Sequence, residues 1–163
     1  MKIILDCYGG DNSPQAHIEG AIKAIKQRND LQITLVGKSE EIRSVLEQYD
    51  FDENKIDVLN ADEVIGCDEK PTQAIRDKKM SSLVVSYDLL KNDEEYGALV
   101  SSGSTGAILA GAILKLGRIK GISRPALAPL LPTKVDKKLT MLIDCGANAE
   151  CKAINLLHFA LMG

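Results

Sequence analysis

The sequence predicts an α/β fold built on a mostly parallel sheet with helices on both faces. Short β-branched runs alternate with segments whose apolar residues recur every three to four positions. Three of those runs end in loops of glycine, serine and aspartate, which is where an α/β sheet presents its ligand crevice. With 163 residues, 45% hydrophobic and 26% charged, the chain suits one globular domain or half of a larger one.

Lys2–Cys7 reads as the first strand, ending at the turn-forming Tyr8-Gly9-Gly10-Asp11-Asn12. Ser13 is a good N-cap and Pro14 a good first helical residue, and Ile18, Ala21, Ile22 and Ile25 form one apolar stripe. Leu31–Val36 is the second strand. A helix is expected from Ser39, with Glu40 and Glu41 at its positive end and Ile42, Val45, Leu46 and Tyr49 inward. Ile56–Leu59 makes a third strand, Pro71-Thr72 opens a short helix, and Met80 to Leu90 a longer one. Ala98–Ser101 is a fourth strand, and the helix that follows to Leu116 is apolar on every side and therefore expected to be buried. Leu127–Leu131 and Thr140–Ile143 are read as further strands, and Ala153–Met162 as a final helix.

Several function classes fall away. The longest apolar stretch, Ala107 to Leu114, is far short of the roughly 20 residues that cross a bilayer. Asp6 interrupts the first apolar run, so no signal-peptide core is expected and a cytoplasmic location is. Cys7, Cys67, Cys145 and Cys151 have no zinc-site spacing and read as reduced thiols. Net charge is −3 with only 4% aromatic residues, so nucleic acid is not an expected partner. Acid dominates residues 1–110, whereas Lys115, Arg118, Lys120 and Arg124 follow one another with no acid between them. Such a run is either a solvated face or a landing surface for an acidic partner.

Three loops are candidates for chemistry. In Asp6-Cys7-Tyr8-Gly9-Gly10-Asp11, the glycines allow close backbone approach to a ligand, or simply make a tight turn capped by Asp11. Ser101-Ser102-Gly103-Ser104-Thr105-Gly106-Ala107 offers backbone N–H groups at a helix start, suited to phosphate, or caps a core helix. It is neither a Walker A loop nor a dinucleotide fingerprint, which disfavours a dehydrogenase. Asp144-Cys145-Gly146-Ala147-Asn148-Ala149-Glu150-Cys151-Lys152 again joins a carboxylate, a glycine and an amide, and the three loops are expected to share one rim. Covalent catalysis by Cys151 beside Lys152 ranks below inert packing, because no histidine partner is evident. His17 and His158 are single and read as packed or surface residues.

Four stretches carry a resemblance: Asp6-x-x-Gly9-Gly10-Asp11, Ser101-x-Gly103-x-Thr105-Gly106-Ala107, Gly117-Arg118-Ile119-Lys120-Gly121-Ile122-x-Arg124-Pro125-Ala126-Leu127-Ala128 and Asp144-x-Gly146-Ala147-Asn148-x-x-Cys151-Lys152. Together with Leu131-Pro132-Thr133 and Phe159-Ala160-Leu161-Met162-Gly163, they resemble the bacterial phosphate acyltransferase (PlsX) family of phospholipid synthesis, collinearly over the whole chain. The resemblance implies attack of inorganic phosphate on acyl-[acyl carrier protein], giving acyl phosphate and free carrier. It also implies a homodimer, a three-layer sandwich like the isocitrate and isopropylmalate dehydrogenases, and loose attachment to the membrane. Family chains continue beyond the point matching Gly163, so the sequence corresponds to an N-terminal half. The chain departs from the family at Ser104, usually Asn, and at Cys7-Tyr8, usually Ala-Met.

The expected site follows. Gly103, Ser104, Thr105 and Gly106 hold phosphate, Asn148 and neighbouring amides stabilise the oxyanion, and Lys152 neutralises charge. Asp6, Gly9, Gly10, Asp11, Asp144 and Gly146 order the loops or bind substrate, and Lys115, Arg118, Lys120 and Arg124 receive the carrier. No metal or organic cofactor has a visible ligand set. The alternatives are a phosphate acetyl- or butyryltransferase using coenzyme A, and a non-catalytic fragment that only binds phosphate or a partner.

Overall fold

The computed structural model describes residues 1–163, and its internal contacts divide them into two compact units, Met1–Leu116 and Gly117–Gly163. In the first unit the elements run β1 (Lys2–Asp6), α1 (Gln15–Gln27), β2 (Gln32–Gly37), α2 (Ser39–Leu46), β3 (Ile56–Asn60), α3 (Pro71–Asp77), α4 (Ser82–Asn92), β4 (Tyr96–Val100) and α5 (Thr105–Gly111). The four strands form one parallel sheet in the order β3-β2-β1-β4, with Ile3 opposite Ile33, Ile33 opposite Ile56 and Ile4 opposite Leu99. The chain builds outward from β1 through β2 to β3, then returns to lay β4 on the other side of β1. The order therefore reverses between β1 and β4, and a crevice opens outside their carboxyl ends.

Alternation along each strand assigns its residues to opposite faces. Ile33 and Leu35 of β2 and Cys7 just past β1 join Ile18, Ala21, Ile22 and Ile25 of α1 and Ile42 and Leu46 of α2 in one buried cluster. Ile4 and Val36 point the other way, with Val85, Leu89 and Leu90 of α4 packed against them. A third cluster joins Ala74 and Ile75 of α3 to Leu83, Val84 and Tyr87 of α4 and Ala107 and Ala110 of α5. Each large aliphatic side chain buried in this way contributes about 1.5–3 kcal/mol.

Three local expectations are corrected. Ser13 does not cap α1; its hydroxyl lies 2.9 Å from both the Gly9 and the Gly10 carbonyl oxygens and shares its one proton between them, and the helix starts at Gln15. The helix expected from Met80 begins at Ser82, because the Ser81 hydroxyl accepts the Val84 N–H and ends the preceding turn. The all-apolar helix is not buried throughout. Its regular part stops at Gly111 and continues as a wider π-type turn over Ala112–Leu116, which leaves Ile113, Leu114 and Leu116 exposed.

The second unit contains β5 (Leu130–Pro132), β6 (Leu139–Met141) and α6 (Ala153–Met162). The two strands expected at 127–131 and 140–143 are shorter than read. They pair with each other as an antiparallel ribbon, Leu131 opposite Thr140, with Thr133 and Lys138 bonded across the turn. Asn155 and Phe159 are the buried residues of α6, while Ile154, Leu156, Leu157 and Leu161 are exposed. No helix of the chain is long and apolar enough to cross a membrane.

Candidate functional site

In the first unit, the loops after β1 and β4 meet at the crevice between those strands. Asp6, at the end of β1, is 2% exposed; its carboxylate accepts the Tyr8 N–H at 3.1 Å and the Ser101 hydroxyl at 2.7 Å. Ser101 Oγ in turn accepts the Gly103 N–H at 3.2 Å, so one buried carboxylate shapes both loops. Ser102 extends the tie by donating its hydroxyl to the Gly9 carbonyl at 2.7 Å. The backbones come so close that a Cβ on Gly9 would overlap Gly103 and the Ser102 carbonyl carbon. Gly10 adopts a φ of 86°, in the left-handed region that favours glycine, and Asp11 is exposed beyond it.

The Ser104 side chain accepts the Ala107 N–H at 3.4 Å and so caps α5. Thr105 and Gly106 lie exposed in the first turn, where backbone N–H groups have no acceptor within the helix. A small pocket lined by Asp6, Tyr8, Ser82, Gly103, Ser104 and Ala107 sits beneath the turn. A wider groove, lined by Arg43, Leu46, Tyr49, Phe51 and Val58, runs along edge strand β3 away from these loops. Tyr8 reaches outward, donating to Glu41 at 2.6 Å; burial and that carboxylate push its phenol well above the ordinary tyrosine range.

The second unit has its own braced loop. The Asp144 carboxylate accepts the N–H groups of Leu127 (2.8 Å), Ala147 (3.2 Å) and Asn148 (2.9 Å) and the Asn148 side-chain amide (2.9 Å). Partial burial pushes this carboxyl up, but the Asn148 side chain and the three backbone donors outweigh that and hold it below its ordinary value. A depressed carboxyl stabilises the fold above its unfolded pKa of about 3.9, and that stability is lost as pH falls through the lower folded value. Asp144→Ala is therefore expected to lower the unfolding midpoint at pH 7 and to flatten the acid limb of a stability profile. A limb as steep as in the native protein would mean that Asp144 does not brace this loop.

Asn148 spends both amide hydrogens within the second unit, one on Asp144 and one on the Pro125 carbonyl, each at 2.9 Å. Gly146 supplies a φ of 95° at the bend. Lys152 is exposed at the start of α6, where its N–H donates to Asn155 Oδ1 at 2.8 Å. Among the basic residues, Arg118 donates to the Ser123 carbonyl at 2.7 Å and Arg124 to the Glu150 carbonyl at 3.2 Å, while Lys120 is exposed. Lys115, in the first unit, is tied to Asp88 at 3.0 Å. Cys151 is exposed.

Two of the three predicted loops are thus joined by hydrogen bonds, and the third is ordered within its own unit. The two histidines, read as packed or surface residues, each meet a serine that the sequence did not pair with them. His17 Nε2 lies 2.6 Å from Ser102 Oγ, and His158 Nδ1 lies 2.9 Å from Ser123 Oγ. The signal available for His17 was its place on the helix that follows the glycine loop, one turn past Pro14. No three His, Cys, Asp or Glu side chains gather as a metal-binding group.

A four-stranded parallel sheet flanked by helices, whose two glycine-bearing loops close on each other at the point of strand reversal, defines an α/β protein. Within that class the chain belongs to the family described as "Fatty acid synthesis protein", whose model matches residues 1–163. It is 50% identical over 163 residues to a phosphate acyltransferase of Clostridium novyi (strain NT), covering all of this chain and 48% of that protein. The Clostridium tetani (strain Massachusetts / E88) phosphate acyltransferase is 49% identical with the same coverage, and that of Clostridioides difficile (strain 630) is 43% identical over 162 residues. The resemblance read from the four motifs is borne out at the level of family. The chain spans about half the length of these curated relatives.

Proposed function

We propose that this chain is part of a phosphate acyltransferase that converts acyl-[acyl carrier protein] and inorganic phosphate to acyl phosphate and free carrier. The observation that carries the reading is the closure of the Asp6–Asp11 loop on the Ser101–Gly106 turn at the β1–β4 switch point, in a chain of this family. A phosphate oxygen attacks the thioester carbonyl carbon, the oxyanion forms and collapses, the carbon–sulfur bond breaks, and the thiolate takes up a proton. Phosphate is nucleophilic near neutral pH, so the work is positioning and charge management.

In this reading the N–H groups of Ser104, Thr105 and Gly106 and the Thr105 hydroxyl hold phosphate, while Gly103, whose N–H is spent on Ser101 Oγ, shapes the turn. Ser104 uses its hydroxyl as the cap, so its contribution is the backbone N–H. Asp6, buried and bonded to Ser101, would repel phosphate and acts by ordering the turn, with Gly9, Gly10 and Asp11 shaping the loop beside it. Asp144, Gly146 and Asn148 order the loop of the second unit, where Asn148 has both side-chain amide hydrogens in use, and Lys152 supplies a positive charge beside it. Thr105→Val is expected to raise the KM for phosphate about tenfold, the effect of losing one charge-assisted hydrogen bond, with unfolding unchanged. An unchanged KM would remove Thr105 from the site.

Lys115, Arg118, Lys120 and Arg124 receive the acidic carrier in this reading. Reversing charge at Arg118 and Lys120 is expected to raise the KM for acyl carrier about tenfold at low salt and to abolish most of its salt dependence. Salt dependence equal to that of the native protein would place docking elsewhere. The full protein is read as a cytoplasmic homodimer, peripheral to the inner face of the membrane, with a three-layer architecture like the isocitrate and isopropylmalate dehydrogenases. Residues 1–163 are read as one α/β domain of it. Preference for coenzyme A thioesters over acyl carrier would favour the sister acetyl- and butyryltransferase reading, and phosphate binding without turnover the non-catalytic one.

A further inference from the structure

Helix α1 sends one imidazole to the turn that follows β4. His17 Nε2 lies 2.6 Å from Ser102 Oγ, Ser102 Oγ lies 2.7 Å from the Gly9 carbonyl, and His17 Nδ1 is buried with no hydrogen-bond partner. A serine hydroxyl has one proton, and the Gly9 carbonyl can only accept. With that proton given to Gly9, Ser102 Oγ accepts from His17, and the ring proton sits on Nε2. The other neutral tautomer would put an N–H on Nδ1, where no acceptor meets it, and a buried orphan donor is costlier than a bare lone pair. The pair therefore has the spacing of a serine–histidine dyad with the proton running the opposite way, and Ser102 is braced rather than activated.

We propose that His17 is a positioning residue: a neutral, Nε2-protonated imidazole that ties α1 through Ser102 to the Gly9 carbonyl and so holds the backbone amides of Ser104–Gly106 in place for phosphate. The proposal deepens the reading of that turn given under Proposed function and rests on it. Two influences act on the ring charge: burial, which disfavours it, and Asp6 at the end of β1, which favours it. Burial is the larger and holds His17 below the ordinary histidine value. An imidazolium would also donate from Nε2 but would leave a second N–H on Nδ1 without an acceptor, so the geometry and the burial both favour the neutral ring.

The test uses the full-length protein. His17→Leu and Ser102→Ala are each expected to raise the KM for phosphate about tenfold while kcat changes less than about twofold, and the double variant to be no worse than either single one. His17→Gln, whose amide N–H reaches the place of Nε2, is expected to restore most of the native KM. Loss of kcat in Ser102→Ala would show a nucleophilic serine and overturn the proposal, as would additive losses in the double variant. Nitrogen-15 spectra of histidine-labelled protein read the tautomer without substrate. An Nε2–H ring that loses its fixed tautomer in Ser102→Ala supports the tie, and an Nδ1–H ring overturns it. If the native protein shows no phosphate saturation, the phosphate reading fails, and the spectra still decide whether the tie exists.

Discussion

Replacing Gly9 by alanine is expected to cost at least about 10²-fold in kcat/KM, together with about 1–3 kcal/mol of stability. The new methyl group would overlap the Gly103 backbone and the Ser102 carbonyl carbon, so the two loops must separate to admit it. Separation breaks the Ser102–Gly9 hydrogen bond and moves the amides of the turn by a distance comparable to a bond length, enough to misplace a small anion. The comparison variant is Gly20→Ala. Gly20 lies inside α1 with open space where a Cβ would stand, and the change should stabilise by about 0.5–1 kcal/mol without touching activity. Thermal unfolding and phosphate kinetics on both variants check this, and a Gly9→Ala protein that behaves like Gly20→Ala would refute the close approach.

Asp6→Ala should cost about 2–5 kcal/mol. Two donors, the Ser101 hydroxyl and the Tyr8 N–H, lose their acceptor at a position that is 2% exposed. Asp6→Asn keeps an acceptor for Tyr8 but turns an amide donor toward Ser101 Oγ, which already accepts from Gly103, so its cost should be smaller. If Asp6 contacted phosphate directly, removing its charge would tighten phosphate binding. On the ordering role, both variants bind phosphate more weakly, in the order of their loss of stability. Chemical denaturation and phosphate titration distinguish the two roles.

Local pattern made much of the fold readable. The stripe Ile18, Ala21, Ile22 and Ile25 is buried as read, and the β-branched runs became β1, β2 and β3. Ala153–Met162 has the bounds that its apolar composition suggested. What escaped was set by competition or by distance along the chain. Ser13 had two carbonyls of the glycine loop within reach, and these won over the helix N–H groups. The widening at Ala112 turned Ile113, Leu114 and Leu116 outward, although each alone looked like core. The partner of a strand is not written in the strand, so the β5–β6 ribbon was not legible. At the site, the glycine loops stood out by composition, but His17 and Ser102 are 85 residues apart, and neither announces the other. The amide of Asn148 likewise looked free until the fold showed both its hydrogens in use.

The most direct measurement is release of carrier thiol from acyl-[acyl carrier protein] by the full-length protein, with and without inorganic phosphate, alongside Gly9→Ala. The account predicts release that saturates with phosphate, yields acyl phosphate in equal amount, and falls by at least about 10²-fold in the variant. Release that is independent of phosphate, or untouched by Gly9→Ala, would contradict a phosphate site built where the two loops close.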